Sequence, residues 1–213
     1  MKLLHACAAA TLIAGFAAAS AEAQQRLRDG EGGVVFSYTQ PDFGNWRPLA
    51  SFTFAEIDPE TGELVERGET RTHTPQAKDW PLTRTRLEAG SYVLRDIYLY
   101  AGASSSYCFA PQTIRFDIAP GEVVYLGHLS FEPAAGPPGG LANAVLGNNG
   151  EWTGRLIVEP GDRAAAEAGL PDLFRDVASL SEAGPETASF TAEGRSRREV
   201  GRNCANAEPY SAD

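Results

Sequence analysis

Between Leu87 and Phe131 apolar residues recur with a period of two, and that period confines the chain to a β-rich fold. In the run Ser91 to Tyr100, Val93, Ile97 and Leu99 fall on one face, with Tyr92, Leu94, Tyr98 and Tyr100 on the other. Two apolar faces predict a central strand covered on both sides. Ile114, Phe116 and Ile118 then alternate with Arg115 and Asp117, as a half-buried strand does. Pro120-Gly121 predicts a type II turn, because proline presets φ at the second position and glycine accepts the positive φ of the third. Val123, Tyr125, Leu129 and Phe131 continue as the partner strand, which puts His128 on the side of Val124 and Leu126.

The flanking segments repeat this pattern. Val34, Phe36 and Tyr38 share one face, and Ala50, Phe52 and Phe54 share another, opposite Ser51 and Thr53. Asp58 to Glu63 is a polar turn, and Leu64 to Arg67 returns from it as the second arm of a hairpin. Gly68 to Thr83 lacks an apolar period and reads as a long connection, Ser104 to Ser106 as a loop, and Pro133 to Gly150 as a Pro/Gly/Asn-rich loop. Trp152 to Glu159 is the last clear strand, with Trp152, Leu156 and Val158 inward. Beyond Pro160-Gly161 the period lengthens. Asp162 suits the cap of a helix running through Ala168 and stopped by Gly169. Pro171 suits the first position of a second helix, with Leu173, Phe174, Val177 and Leu180 as its stripe. The expectation is a mostly β chain: an antiparallel β-sandwich of about seven strands followed by one or two short C-terminal helices. Its segments are 1–23, a leader; 24–33, a mobile lead-in; 34–159, the sandwich; 160–183, a helical appendage; and 184–213, a tail. The tail is loosely ordered apart from Cys204 and a short strand over Thr187 to Phe190.

The leader carries Lys2, an Ala/Leu-rich run from Leu3 to Ala19, and Ala21-Glu22-Ala23 in the positions a signal peptidase reads. Cleavage after Ala23 leaves Gln24 to Asp213. The run falls short of the roughly 20 apolar residues of a spanning helix, and Leu4-His5-Ala6-Cys7 is a poor lipobox. A signal peptide with no remaining transmembrane segment is therefore expected, and a periplasmic or secreted protein with it. Cys7 leaves with the leader, so Cys108 and Cys204 form an even pair in an oxidising compartment, where a disulfide bond is expected. A closed loop on the order of 100 residues contributes roughly 4–5 kcal/mol by chain entropy. The formal charge is −10, which repels phosphate backbones and argues against nucleic-acid partners.

Leu87-Glu88-Ala89-Gly90-Ser91-Tyr92 resembles the Leu-x-x-Gly-x-Tyr strand that opens transthyretin-like (prealbumin-like) sandwiches. Phe116 to Gly127 is similar to a hairpin of bacterial envelope proteins of unknown function built on that fold. The resemblance spans about 40 residues and its motifs are structural. It implies a small antiparallel sandwich in the periplasm or on the envelope, and it supplies no catalytic residues.

The chain shows no catalytic motif, and neither a cofactor nor a metal is expected. His73 and His128 are the histidines beyond the leader, and each reads first as a packed or loop residue. Ser104-Ser105-Ser106 lacks a Gly-x-Ser-x-Gly elbow. Asp58, Glu60 and Glu63 lack the alternating ligands of a calcium loop. Gly136 to Gly140 lacks the Lys-Ser/Thr of a phosphate cradle. Tyr92, Tyr98, Tyr100 and Tyr107 offer groove-lining surface, although strand packing accounts for the first three. Arg195, Arg197, Arg198 and Arg202 form a basic cluster on an acidic chain, the candidate surface contact; the plainer reading is a solvated tail that balances acidic residues of its own protein. The functional expectation is a non-enzymatic module that binds or supports another cell-envelope component. The alternatives are a small-ligand carrier with its pocket beneath Pro133 to Gly150, and a hydrolase using His128.

Overall fold

The computed structural model describes residues 25–39, 49–73, 82–100, 104–133, 150–192, 195–205 and 207. The expected leader and most of the loop expected over Pro133 to Gly150 lie outside these residues.

The chain is mostly β. Its strands are β1 (Gln25–Arg26), β2 (Glu31–Tyr38), β3 (Leu49–Ile57), β4 (Leu64–His73), β5 (Thr83–Glu88), β6 (Gly90–Tyr100), β7 (Ser104–Ile118), β8 (Val123–Pro133), β9 (Gly150–Glu159), β10 (Phe174–Arg175) and β11 (Glu186–Ala188). The helices are α1 (Arg163–Leu173), α2 (Arg197–Val200) and α3 (Arg202–Ala205). The main sheet has the order β4-β3-β6-β7-β9-β8-β2-β5, with β11 on β7; β1 and β10 pair separately. It curls on itself. Phe36 of β2 and Phe52 of β3 are not ladder neighbours, yet their rings meet edge-on at 4.9 Å. The two ends of the path also approach, where Thr72 Oγ1 of β4 donates to the Arg84 carbonyl of β5 at 3.3 Å.

The expected antiparallel order is corrected here. The sheet is mixed: β2 pairs with β8 and β7 with β9 in parallel, while the other ladders of the main sheet are antiparallel. Local hairpin signals report antiparallel neighbours only. A parallel pair joins strands far apart in sequence and leaves no local mark. Several segments differ in the same direction. Gly68 to His73, read as connection, completes β4, and Ser104 to Ser106, read as loop, begins β7. The expected mobile lead-in supplies β1 and the start of β2. The tail holds α2 and α3 besides its expected short strand, which is β11, Glu186–Ala188.

Inside the curl lies one core: Val34 and Phe36, Ala50, Phe52 and Phe54, Tyr92, Leu94, Ile97 and Leu99, Tyr107 and Phe109, Ile114, Phe116 and Ile118, and Val124, Leu126, Leu129 and Leu156 among others. The faces of β2 and β3 follow the sequence pattern, and Leu156 and Val158 of β9 point inward; the side chain of Trp152 lies outside the described residues. In β6 and β8 the phase changes partway. Tyr92 and Leu94 point inward, and so do Ile97 and Leu99, because the register of β3 on β6 slips between Thr53 and Phe54 and leaves Arg95 as the extra residue. In β8, Val124 and Leu126 point inward, and so do Leu129 and Phe131, across a slip at Gly127. Gly127 sits at φ +85°, and a Cβ there would lie 2.3 Å from the Glu159 carbonyl oxygen. A bulge inserts one residue and flips every side chain beyond it, so a strict alternation misassigns the far half of each strand.

The expected turn at Pro120-Gly121 is present: Gly121 has φ +79°, and the Glu122 N–H donates to the Ala119 carbonyl at 3.1 Å. Asp162 caps α1 by accepting from the Ala165 N–H at 2.9 Å. The helix passes Gly169, contains Pro171 and stops two residues later, so the expected second helix does not form. A proline N–H is missing from the i→i−4 ladder, and the chain turns extended at Phe174, which pairs in parallel with Gln25. Leu170, Leu173, Phe174 and Leu180 instead cover Val35, Val123 and Tyr125 on the outer face of β2 and β8. A third cluster, Ala55, Ile57, Val93, Cys108, Ala110, Phe190, Val200 and Cys204, covers the outer face of β3, β6 and β7. The expected disulfide is present. Cys108 of β7 and Cys204 of α3, 96 residues apart, are bonded, with Cα atoms 5.0 Å apart.

Candidate functional site: two charged clefts on the outer face

The bulge in β6 builds the first cleft. A regular strand sends neighbouring side chains to opposite faces, whereas a bulge lets Arg95 and Asp96 share the outer one. Asp96 is fully buried and accepts from Thr53 Oγ1 at 2.9 Å and from Arg95 Nε at 2.7 Å. The Arg95 side chain is 5 % exposed, and its Nη1 donates to Glu69 of β4 at 2.5 Å. Burial by itself would push the guanidinium towards losing its proton. The charges and hydrogen bonds of Asp96 and Glu69 outweigh that and hold it above its ordinary range.

The C-terminal segment clasps this network. A Cβ on Gly201 would lie 2.3–2.4 Å from three atoms of the Arg95 guanidinium, so α2 and α3 seat directly on it. The disulfide fixes them there covalently. Arg195 pairs with Glu63 at 3.6 Å, and Arg198 pairs with Glu66. Glu199 accepts from the Ser196 N–H at 2.8 Å, and that bond, helped by Arg195, draws its carboxyl below the usual range. The basic cluster found in the sequence therefore docks the tail on acidic residues of the hairpin from Asp58 onward. Arg197, Arg198 and Arg202 also rim a cleft of about 380 Å³ that includes Glu69, Arg95 and Glu199.

The second cleft, about 430 Å³, opens at the seam where β4 and β5 part. Arg71 and His73 line it from β4, Arg84 and Arg86 from β5, Glu31 from β2 and Gln25 from β1. Arg71 donates from Nε to Thr53 Oγ1 at 3.4 Å. Arg86 Nη1 donates to the Arg26 carbonyl at 3.0 Å and lies 3.5 Å from Glu31. Sequence reasoning missed this group because the arginines fall in a stretch with no apolar period. The signal available was the alternation Thr83-Arg84-Thr85-Arg86-Leu87, whose inward residues are mostly threonine.

His128 stands apart from both clefts. The Gly127 bulge turns it away from Leu126 and toward β2, where it faces Ser37 in the parallel ladder. Its Nδ1 is 2.8 Å from Ser37 Oγ and its Nε2 is 2.6 Å from Thr39 Oγ1. A neutral imidazole donates from one nitrogen and accepts at the other, so two hydroxyls saturate it. The sequence reading on the side of Val124 is corrected by the bulge.

The remaining candidates fall into place as structure. Asp58 accepts from the N–H groups of Glu60 and Thr61, each at 2.8 Å, which lowers its carboxyl pKa and closes its own turn. Tyr92 donates to the Glu88 carbonyl at 3.0 Å and Tyr107 packs on Phe131, while Tyr100 stands half-exposed. Gly136 to Gly140 lie outside the described residues. Among the described residues, no three His, Cys, Asp or Glu side chains converge to hold a metal, and no helix is long and apolar enough to cross a membrane. No protein-family model, curated protein or solved structure matches the chain.

Proposed function

We propose that the chain is an exported, non-enzymatic β module that binds another component of the cell envelope through its outer surface. The observation that carries this reading is the placement of space. The interior is filled by Phe36, Phe52, Phe54, Phe116 and their neighbours, while both charged clefts lie outside, on strands. A packed interior serves as scaffold, and rim clefts on rigid strands serve recognition. The disulfide supports residence in the periplasm or outside the cell, where such bonds persist. The leader over residues 1–23 belongs to the same proposal. So does the transthyretin-like likeness, in which β4-β3-β6-β7 and β9-β8-β2-β5 are the two layers of a sandwich.

Photocrosslinking in intact cells tests this. A photoreactive residue replacing His73, exposed at the rim of the seam, is expected to give a discrete adduct with an extracytoplasmic molecule. The same probe replacing Glu159 is expected to give none. Equal labelling from both positions, or an adduct with a cytosolic protein, contradicts the proposal.

The Ser37–His128 contact favours the hydrolase as a second reading. A general base must take the serine proton and be oriented from behind, here by Thr39 Oγ1. In the primary reading the group is a cross-strand tie at a bulge. Labelling of Ser37 by a fluorophosphonate, lost in His128→Ala, would establish the hydrolase.

A further inference from the structure

We propose that the seam between β4 and β5 is a binding site for an oxyanion carried on a hydroxylated ligand, the chemistry shared by acidic sugars and sugar phosphates. The proposal deepens the binding-module reading and rests on it. Three guanidinium groups, Arg71, Arg84 and Arg86, line one cleft with a single carboxylate, Glu31, on a chain whose formal charge is −10. Concentrating cations against the net charge produces a local field that attracts anions.

The cations are held on strands. Arg84 and Arg86 are two residues apart on β5, opposite Val35 and Gly33 of β2, and Arg71 and His73 are two apart on β4. Positions i and i+2 lie roughly 7 Å apart on one face of a strand, so the seam carries two short rails of donors. Arg71 is anchored through Nε, the nitrogen nearest its backbone, and Arg86 through the Arg26 carbonyl and Glu31. Guanidinium forks fixed in this way recognise carboxylate and phosphate by paired N–H bonds.

A second observation specifies the ligand's other end. The side-chain carbonyl of Gln25, in the wall of the same cleft, is buried and accepts no hydrogen bond among the described residues. Such an acceptor calls for a donor, and a hydroxyl next to the acid group supplies one. The volume, about 430 Å³, lies within the range of small-molecule sites, roughly 300–1,000 Å³.

The test is calorimetric titration of the whole mature protein at low salt with three probes: tri-galacturonate, inorganic phosphate and maltotriose. Binding of either anion with Kd below about 1 mM, and none of the neutral sugar, is the expected result; which anion binds tells carboxylate from phosphate as the source. Arg71→Gln with Arg86→Gln is expected to weaken anion binding at least about tenfold. Arg155→Gln, on β9 and outside both clefts, leaves it unchanged. Chemical-shift mapping on the unaltered protein guards against a variant that misfolds, and the shifts must cluster at residues 71–73 and 84–86. Failure of both anions to bind, equal binding of maltotriose, or shifts centred elsewhere overturns the proposal. If the anions fail while the His73 photoprobe still captures an extracytoplasmic partner, the oxyanion site falls and the binding module stands; if both fail, both readings fall.

Discussion

Replacing Gly201 by alanine tests how the clasp is seated. The new methyl would lie 2.3–2.4 Å from the guanidinium carbon and both terminal nitrogens of Arg95. That guanidinium has nowhere to retreat, since it is 5 % exposed and bonded to Asp96 at 2.7 Å and Glu69 at 2.5 Å. Gly201 also has φ +79° and ψ 163°, a region all but closed to a residue with a Cβ, at a cost of about 1–3 kcal/mol. Breaking a buried ion pair costs about 3–5 kcal/mol, an upper bound here because α2 can shift outward instead. The expected loss is therefore about 2–5 kcal/mol, read from urea denaturation with an unchanged slope. Gly184→Ala is the matched control, because nothing lies within 4 Å of its Cβ and its φ is not positive; it should be neutral or slightly stabilising. In an Arg95→Ala background the methyl has room, and the cost of Gly201→Ala should fall to the backbone share, about 1–3 kcal/mol. A Gly201→Ala protein within about 0.5 kcal/mol of the parent, or the same cost with and without Arg95, refutes the reasoning.

Two further outcomes follow from the same geometry. Cys108→Ala with Cys204→Ala opens a link between residues 96 apart and should cost about 4–5 kcal/mol by chain entropy, with α2 and α3 becoming the first segments cut in limited proteolysis. Alkali should destabilise the fold from about pH 10. Burial pushes Tyr107 up to about 12, burial aided by Glu56 and Glu88 does the same to Tyr92, and burial raises Tyr38 further. Between these limits the unfolded chain has released phenolic protons that the folded chain keeps, so stability is complete below pH 10 and falls as pH rises. Each of these rings contributes at most about 1.4 kcal/mol per pH unit. Urea midpoints at pH 9 and 11 measure the fall, and Tyr107→Phe should lessen it by one ring's share.

Much of the scaffold was legible because its signals are local. The alternations Val34–Phe36 and Phe52–Phe54, the turn at Pro120-Gly121 and the cap at Asp162 depend on neighbours only. The cysteine pair was legible for a different reason, compartment chemistry. What escaped the sequence was set at a distance. One extra residue at Arg95 and one slip at Gly127 reverse the faces beyond them, and nothing in the composition announces either. The parallel ladders join segments with no local link. The seam escaped for a third reason: its inward residues are largely threonine, so strands β4 and β5 lacked the apolar beat by which strands are read. The basic tail cluster was visible, but its ion pairs with Glu63 and Glu66 depend on the hairpin that the disulfide brings beneath it.

The central claim is an exported β body whose tail is covalently fastened across its outer face. Intact-mass analysis of the protein taken from cells that make it, alkylated with and without prior reduction, tests this most directly. The account predicts a chain beginning at Gln24 that takes up no alkyl group until reduced and two afterwards. A chain that keeps Met1 and is alkylated at Cys108 and Cys204 without reduction would contradict it.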